Sequence, residues 1–96
     1  MFSKMKDLYN MQKQAKAMKK ELQSTLVEAE VGGVLVTLNL EMNMVDLKIA
    51  PEALTAGVTA LENNIKEAYQ KARKKAEELA AVKMKDIMGG MGLPGM

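Results

Sequence analysis

The chain has 96 residues and a net charge of only +2, and it contains neither cysteine nor histidine. Its length is that of one small domain, and the two missing residue types exclude disulfides and the usual zinc sites. No apolar run approaches the roughly 20 residues of a membrane span, and no apolar segment of a secretory signal follows the N-terminus. We therefore expect a cytoplasmic protein without a membrane partner.

The first predicted element is a long helix, because the segment from about residue 3 to residue 24 has no glycine or proline. Its apolar side chains recur three and four residues apart, which is the spacing of one packed helical seam. The seam comprises Leu8, Met11, Ala15, Met18 and Leu22. On a helical wheel, four lysines fall within about 80° of one another on the opposite side. They are Lys6, Lys13, Lys16 and Lys20. Such a face is either a solvated surface or a contact for a polyanion.

The central stretch, residues 25–51, alternates apolar and polar side chains, which predicts strands with one buried face. Gly32 and Gly33 can turn the chain between the first two strands because glycine accepts a positive φ. A second turn is expected around residues 41–43. The pattern therefore predicts a three-stranded antiparallel meander. Its predicted buried face comprises Val27, Ala29, Val31, Val34, Val36, Leu38, Leu40, Val45, Leu47 and Ile49.

A meander of this kind leaves strand edges open, and open edges in proteins are usually paired or covered. We therefore expect a homodimer formed through the strands. The residues expected in its shared core are Val36, Leu38, Leu47 and Ile49.

A second long helix is predicted after the meander. Pro51 suits the first turn of a helix, so residues 51–54 should form one short turn. Thr55 is the expected N-cap of the main helix, although Gly57 near its start weakens that boundary. The predicted seam comprises Val58, Leu61, Ile65, Ala68, Ala72 and Leu79, with Ala76 beside it.

Five basic residues cluster in the middle of this second helix: Lys66, Lys71, Arg73, Lys74 and Lys75. They spread further around the helical wheel than the first group does. Ion pairs at a spacing of four residues, between Lys71 and Glu67 or between Lys74 and Glu78, explain part of this cluster.

The end of the chain is predicted to carry no packed structure. Lys83 falls on the seam side of the second helix, so packing should end near Leu79. The last eight residues read GGMGLPGM, which cannot hold a helix. We therefore expect a single domain over residues 1–88, followed by a flexible tail rich in glycine and methionine over residues 89–96.

The charges are distributed unevenly. Residues 1–20 hold six lysines and one acid, residues 21–62 hold seven acids and one lysine, and residues 66–75 hold five basic groups and one acid. Positive charge thus lies on the predicted helices and negative charge on the predicted strands. This segregation indicates a polyanionic partner that meets the helices.

No motif of enzyme chemistry is present. The sequence has no glycine-rich phosphate loop, no nucleophile elbow and no set of histidine or cysteine ligands. Glu28 and Glu30 lie on one predicted strand, but two such carboxylates are far more often solvent-facing residues than an acid–base pair. We expect neither an enzyme nor a protein with a metal, cofactor or small-molecule substrate.

Four segments, taken in their order, resemble one protein family. They are KQAKAMKKELQ (13–23), V-x-L-K-I-x-P (45–51), A-x-x-K-A-R-K-K-A-E-E-L (68–79) and G-x-G-L-P-G (90–95). Over essentially the whole chain the sequence resembles the YbaB/EbfC family of bacterial nucleoid-associated DNA-binding proteins. The resemblance implies an α+β fold with an α-β-β-β-α protomer and two long helices. It also implies a homodimer joined through the sheets and paired helices that grip duplex DNA in the nucleoid.

The sequence departs from the family pattern at two turns. Ala50 stands where the family often has an aspartate before the proline, and Met42-Asn43 stands where it often has a glycine. Both departures concern local turns, so the DNA assignment is unaffected.

By position, the resemblance places DNA contacts at Lys13, Lys16, Lys19 and Lys20 on the first helix. On the second helix it places them at Lys71, Arg73, Lys74 and Lys75. The charge pattern adds one residue on each helix. The complete predicted set is Lys6, Lys13, Lys16, Lys19, Lys20, Lys66, Lys71, Arg73, Lys74 and Lys75.

The residue types predict how DNA would be bound. Thirteen of the fourteen basic residues are lysine. Lysine is a point charge suited to phosphate, whereas arginine makes the commonest bidentate contact with guanine. Phe2, Tyr9 and Tyr69 are the only aromatic residues, too few for a platform that stacks unpaired bases. We expect duplex binding through phosphates with little sequence preference.

A second class of function stays open. Two helices with heptad-spaced seams joined by a hairpin also resemble a prefoldin-type holdase or a coiled-coil adaptor. The methionines of the seams are either core filler or contacts for unfolded or partner proteins.

Overall fold

A computed structural model of the protein describes residues 2–90, and it has the predicted order of elements. These are α1 (Phe2–Ser24), β1 (Leu26–Val31), β2 (Val34–Asn39), β3 (Met44–Ile49), α2 (Pro51–Leu54) and α3 (Val58–Gly90). The strands form one open antiparallel sheet in the order β1-β2-β3. The α-β-β-β-α arrangement of an α+β protein is therefore confirmed. In the described range, no helix is both long enough and apolar enough to cross a membrane.

The turn between β1 and β2 is the predicted glycine pair. Gly32 and Gly33 have φ values of 55° and 86°, and they connect Val31 and Val34, which face each other across the hairpin. Two successive positive φ values are the signature of the two-residue turn that fits the twist of a hairpin. A Cβ atom at Gly32 would also collide with the side chain of Asn64 on α3, so a larger residue there would have to displace that side chain.

The second turn, at residues 40–43, is held by one side chain. The Oδ1 atom of Asn39 accepts hydrogen bonds from the backbone N–H groups of Glu41 (2.9 Å) and Asn43 (3.1 Å). Met42 has a φ of 67°, a left-handed conformation that glycine adopts more readily. The register then shifts after Thr37, and Val45 is the extra residue of β3. The turn lies where the sequence predicted it.

The core lies between α3 and the first two strands. Val34, Val36 and Leu38 of β2 are completely buried, and Ala68 and Ala72 of α3 are buried against them. Alanines on the buried side of α3 let the helix approach the sheet closely. The predicted inner faces of β1 and β2 are therefore confirmed.

The third strand is less buried than its sequence pattern predicted. Leu47 is paired in register with Val36, yet Leu47 is 40% exposed and Val36 is 0% exposed. Val45 and Ile49 are exposed as well. The reason is that α3 packs on β1 and β2. A helix about 10 Å wide spans two strands that lie about 4.8 Å apart, and the third strand extends beyond it.

The predicted seam of α1 is also mostly unpacked. Leu8 and Met11 are 60% and 61% exposed, Ala15 is exposed, and only Met18 and Leu22 are half-buried. The expectation of a packed face along the whole helix was wrong. α1 is attached to the sheet near its C-terminal end only, where the Leu40 N–H donates to the Leu22 carbonyl at 2.9 Å.

The start of α3 also differs from the prediction. Thr55 is the C-cap of α2, and its Oγ1 donates to the carbonyl of Glu52 at 2.7 Å. Gly57, with a φ of 97°, accepts the first hydrogen bond of α3 from the Leu61 N–H at 3.0 Å. Thr55 is therefore not the N-cap, and Val58 is exposed rather than part of the packed seam.

The far end of α3 extends further than predicted. The helix continues through Gly90, two residues beyond the predicted domain end at residue 88. The remainder of the predicted tail, residues 91–96, lies outside the described residues.

The direction of α3 divides the molecule into two parts. α3 begins above the β1–β2 hairpin, where Asn64 lies at Gly32, and Lys83 near its end contacts Glu21 of α1. α3 is therefore antiparallel to both β1 and α1. We call residues 25–82 the body, and we call α1 together with residues 83–90 the arm. Their end-to-end arrangement makes the molecule long and narrow, at 66 × 24 × 15 Å.

Candidate nucleic-acid interface

The lysines of α1 form fewer ion pairs and hydrogen bonds within the described residues than the basic group of α3 does. All five predicted contact residues are exposed, and in the described range none of them forms an ion pair. They are Lys6, Lys13, Lys16, Lys19 and Lys20. The helix is regular throughout, so its lysine face projects into solvent along most of the arm.

A shallow cleft lies within that lysine face. Its volume is about 180 Å³, and it is lined by Tyr9, Gln12, Lys13 and Lys16. Tyr9 and Gln12 were not among the predicted contacts. Spacing could have identified Tyr9. It precedes Lys13 by four residues and Lys16 by seven, which places the three side chains on one side of a helix.

The basic group of α3 is also exposed, but two of its members are engaged. Lys66, Lys71 and Lys74 have no ion-pair partner among the described residues. The Nε atom of Arg73 donates to the Oε1 atom of Glu77 at 2.9 Å. The ammonium group of Lys75 donates to the backbone carbonyl of Glu28 at 2.9 Å.

These contacts correct two details of the sequence prediction. The ion pairs expected at Lys71–Glu67 and Lys74–Glu78 do not form in the part of the chain that the structure describes. Within this group Arg73 forms the ion pair of the described range, with Glu77 four residues further along the helix.

The structure does not bring the two basic groups into one compact patch. Lys13 lies eight residues before Glu21, and Lys71 lies twelve residues before Lys83, on antiparallel helices that meet at the Glu21–Lys83 contact. At about 1.5 Å per residue, Lys13 and Lys71 lie in opposite directions from that contact, at roughly 12 Å and roughly 18 Å along the helices. One group therefore belongs to the arm and the other to the body.

One ion pair joins the two helical segments of the arm. The Nζ atom of Lys83 lies 2.6 Å from the Oε1 atom of Glu21. The hydrogen bond to Glu21, together with the negative charges of Glu21 and Asp86, raises the pKa of Lys83 above its ordinary value. Beside the pair is a cleft of about 310 Å³ lined by Gln14, Ala17, Met18, Glu21, Lys83 and Asp86. Sequence reasoning placed Lys83 at the end of packing but did not foresee this tie.

The acids occupy other surfaces. Glu28, Glu30 and Asp46 are exposed on the sheet, and in the described range no group of three or more potential ligands gathers to hold a metal ion. The lysine face of the arm is therefore the surface best suited to a polyanion.

Comparison with known proteins identifies a family and several relatives. The sequence matches the family described as the YbaB/EbfC DNA-binding family over residues 1–91. It is 36% identical over 95 residues to a nucleoid-associated protein of Clostridium kluyveri, covering 96% of this chain and 83% of that protein. It is 39% identical over 87 residues to one of Roseiflexus sp. (strain RS-1), with 88% and 87% covered. A nucleoid-associated protein of Gluconobacter oxydans is 37% identical over 93 residues, with 94% and 87% covered.

Proposed function

The chain belongs to the YbaB/EbfC DNA-binding family, and from that premise we propose that it binds duplex DNA in the nucleoid through phosphate contacts from its two lysine-rich helices. The proposed contacts are Lys6, Lys13, Lys16, Lys19, Lys20, Lys66, Lys71, Arg73, Lys74 and Lys75.

The observation that carries the proposal is that the α1 lysines are accessible to a polyanion. They are exposed and unpaired within residues 2–90, so no ion pair has to break before an ammonium group meets a phosphate. Each engaged lysine also releases about one counterion from the DNA, which favours binding at low salt. The arm therefore supplies the larger part of the proposed affinity.

The α3 group contributes less per residue. Lys66, Lys71 and Lys74 are as available as the arm lysines. Lys75 must leave the Glu28 carbonyl and Arg73 must share its guanidinium group with Glu77 before either meets DNA. These two contacts are accordingly weaker members of the proposed set.

The same contacts argue for little sequence preference. Arg73 is the only arginine in the chain, and bidentate reading of guanine requires a guanidinium group free to enter the major groove. Phosphate contacts fix position on the duplex but carry no sequence information.

The direct test is a titration of the protein onto two duplexes of equal length and unrelated sequence at several salt concentrations. We expect similar affinities for both duplexes. The logarithm of affinity should fall linearly with the logarithm of salt, by about 0.9 per phosphate neutralised. Absence of binding at low salt would overturn the proposal. It would favour a holdase or adaptor that uses the exposed Leu8 and Met11 on other proteins.

The proposed assembly is a homodimer that joins at β3. Val36 and Leu38 are already completely buried within one protomer, so Leu47 and Ile49 are the shared-core residues that a second copy would cover. The other edge of the sheet is less suited to pairing, because the Lys75 ammonium group occupies the Glu28 carbonyl of β1.

Sedimentation of paired variants tests this assembly. Leu47→Glu should shift the protein to a monomer because it buries a charge in the proposed interface. Leu26→Glu changes a leucine on β1 that is also exposed and should leave the dimer intact. A wild-type protein that sediments as a monomer at tens of micromolar would contradict the proposal.

A further inference from the structure

Tyr9 is exposed in a place that neither the core nor the seam of α1 explains. Its side chain is 66% exposed. On the helical wheel it falls between Lys16 and Lys20, inside the arc of about 80° that holds the four one-sided lysines of α1. The seam residues Leu8 and Met11 lie on another side of the helix. A second copy that covered the seam would therefore leave Tyr9 in solvent.

Tyrosine carries an apolar ring and one hydroxyl group, and it is enriched where one end of the side chain is apolar and the other is wet. A lone tyrosine among lysines offers little to an apolar partner. It does offer a neutral hydrogen-bond donor to whatever the lysines bind.

The Tyr9 side chain is one of four that line a cleft. Tyr9, Gln12, Lys13 and Lys16 line the same cavity of about 180 Å³. Two of the side chains carry ammonium groups, one an amide and one a phenol, so all four can donate hydrogen bonds. Four donors around one small cleft suit an anion with several acceptor oxygens.

We propose that this cleft seats one phosphodiester group of duplex DNA, with Tyr9 and Gln12 as neutral contacts beside Lys13 and Lys16. The inference rests on the proposed function and adds to it two contact residues that are not basic. The Tyr9 hydroxyl donates to a phosphate oxygen, as tyrosine side chains do in protein–DNA interfaces, and its ring packs against the adjoining sugar. The Gln12 amide donates to the same phosphate group or its neighbour.

A neutral contact differs from a lysine in one measurable way. A lysine that meets a phosphate displaces a counterion, so its removal lowers both the affinity and the salt dependence. Tyr9 and Gln12 displace none. Their removal should lower the affinity and leave the slope of log affinity against log salt unchanged.

The experiment compares Tyr9→Ala, Tyr9→Phe, Gln12→Ala and Lys13→Gln with the wild-type protein on one duplex over a range of salt. Tyr9→Phe should weaken binding about fivefold, the ratio given by one ordinary hydrogen bond, because it removes only the hydroxyl group. Tyr9→Ala should weaken binding further, because it removes the ring contact as well. Both should keep the wild-type slope, whereas Lys13→Gln should reduce it by about 0.9 for each arm engaged.

Asn10→Ala is the matched control, since Asn10 is exposed on the same part of α1 and is turned about 100° from Tyr9. It should bind as the wild type does. Circular dichroism must show unchanged helix content in every variant.

Two results would overturn the inference. One is a Tyr9→Ala protein with wild-type affinity while Lys13→Gln binds more weakly. The other is a reduced salt slope in Tyr9→Ala, which would mean that Tyr9 only positions the neighbouring lysines. A wild-type protein that does not bind duplex DNA would instead be a failure of the proposed function, so the two failures are distinguishable.

Discussion

The body and the arm contain similar helical sequences, but the two helices are packed differently. Both long helices have apolar residues at heptad spacing, but α3 buries its seam alanines, such as Ala68 and Ala72, against the sheet. α1 leaves Leu8 and Met11 exposed because its N-terminal half lies beyond the sheet. Packing therefore fixes the body, and the arm is governed by its charges and by what it meets.

The two basic groups differ in the same way. In the body, Lys75 and Arg73 make contacts within the protein. On α1, the five proposed contact lysines have no ion-pair partner among residues 2–90. A count of lysines on each helix would rank the two groups as equals, and the hydrogen bonds separate them.

The largest expected effect is on stability, from a truncation in the body. Leu38 is completely buried, so Leu38→Ala should reduce the free energy of unfolding by about 2–5 kcal/mol. Leu8→Ala makes the same chemical change in the exposed arm and should cost no more than about 0.5 kcal/mol. Chemical denaturation measures both. Equal losses would mean that the arm is packed in solution as tightly as the body.

A smaller effect is expected at the turn where the body meets the arm. Met42 is held at a φ of 67°, which costs a residue with a Cβ roughly 1–2 kcal/mol. Met42→Gly removes that cost but adds chain entropy to the unfolded state, so a net stabilisation of about 0.5–1 kcal/mol is expected. Thermal unfolding would show it. A less stable variant would mean that packing of the half-buried methionine outweighs the strain.

The smallest effect concerns the ion pair that joins α1 to the end of α3 within the arm. Because the pKa of Lys83 is raised above its ordinary value of 10.5 by Glu21, the stability from this pair is fully present below pH 10.5. It is lost as the pH rises through the raised pKa. The difference in unfolding free energy between wild type and Lys83→Gln should therefore be constant near neutral pH and shrink at strongly alkaline pH.

Lys85→Gln is the control for this titration, since Lys85 is exposed on the same helix and has no ion-pair partner in the described range. It should show no such difference at any pH. A Lys83→Gln effect that persists unchanged above the raised pKa would show that packing, and not charge, joins α1 to the end of α3.

Much of the fold could be predicted from local patterns. Alternation identified the strands, and Gly32-Gly33 identified the first turn because both positions need a positive φ. Periodicity shows which side of an element is apolar, but it does not show whether anything covers that side. For this reason the exposure of Leu47 and Leu8 within one protomer was not predicted.

The candidate site was predicted less completely than the fold. Charge patterning identified the lysines, since they are one-sided on α1. The engagement of Lys75 by a carbonyl of β1 depends on how closely α3 lies on the sheet, which no local pattern reports. The N-cap of α3 was missed because Thr55 and Gly57 are both plausible caps. Which of these two residues precedes the first turn of α3 depends on how α2 ends.

The most direct test of the central claim, that the arm's lysines carry the DNA affinity through phosphates, is the salt dependence of duplex binding by the Lys13→Glu/Lys20→Glu double variant. We expect weaker binding to every duplex and a slope shallower by about 0.9 for each phosphate that the variant no longer neutralises. Lys48→Glu, a reversal of charge on the acidic sheet, should change neither quantity. Circular dichroism should show both proteins folded. An unchanged affinity and slope in the double variant would contradict the account and leave the α3 group as the candidate DNA contact.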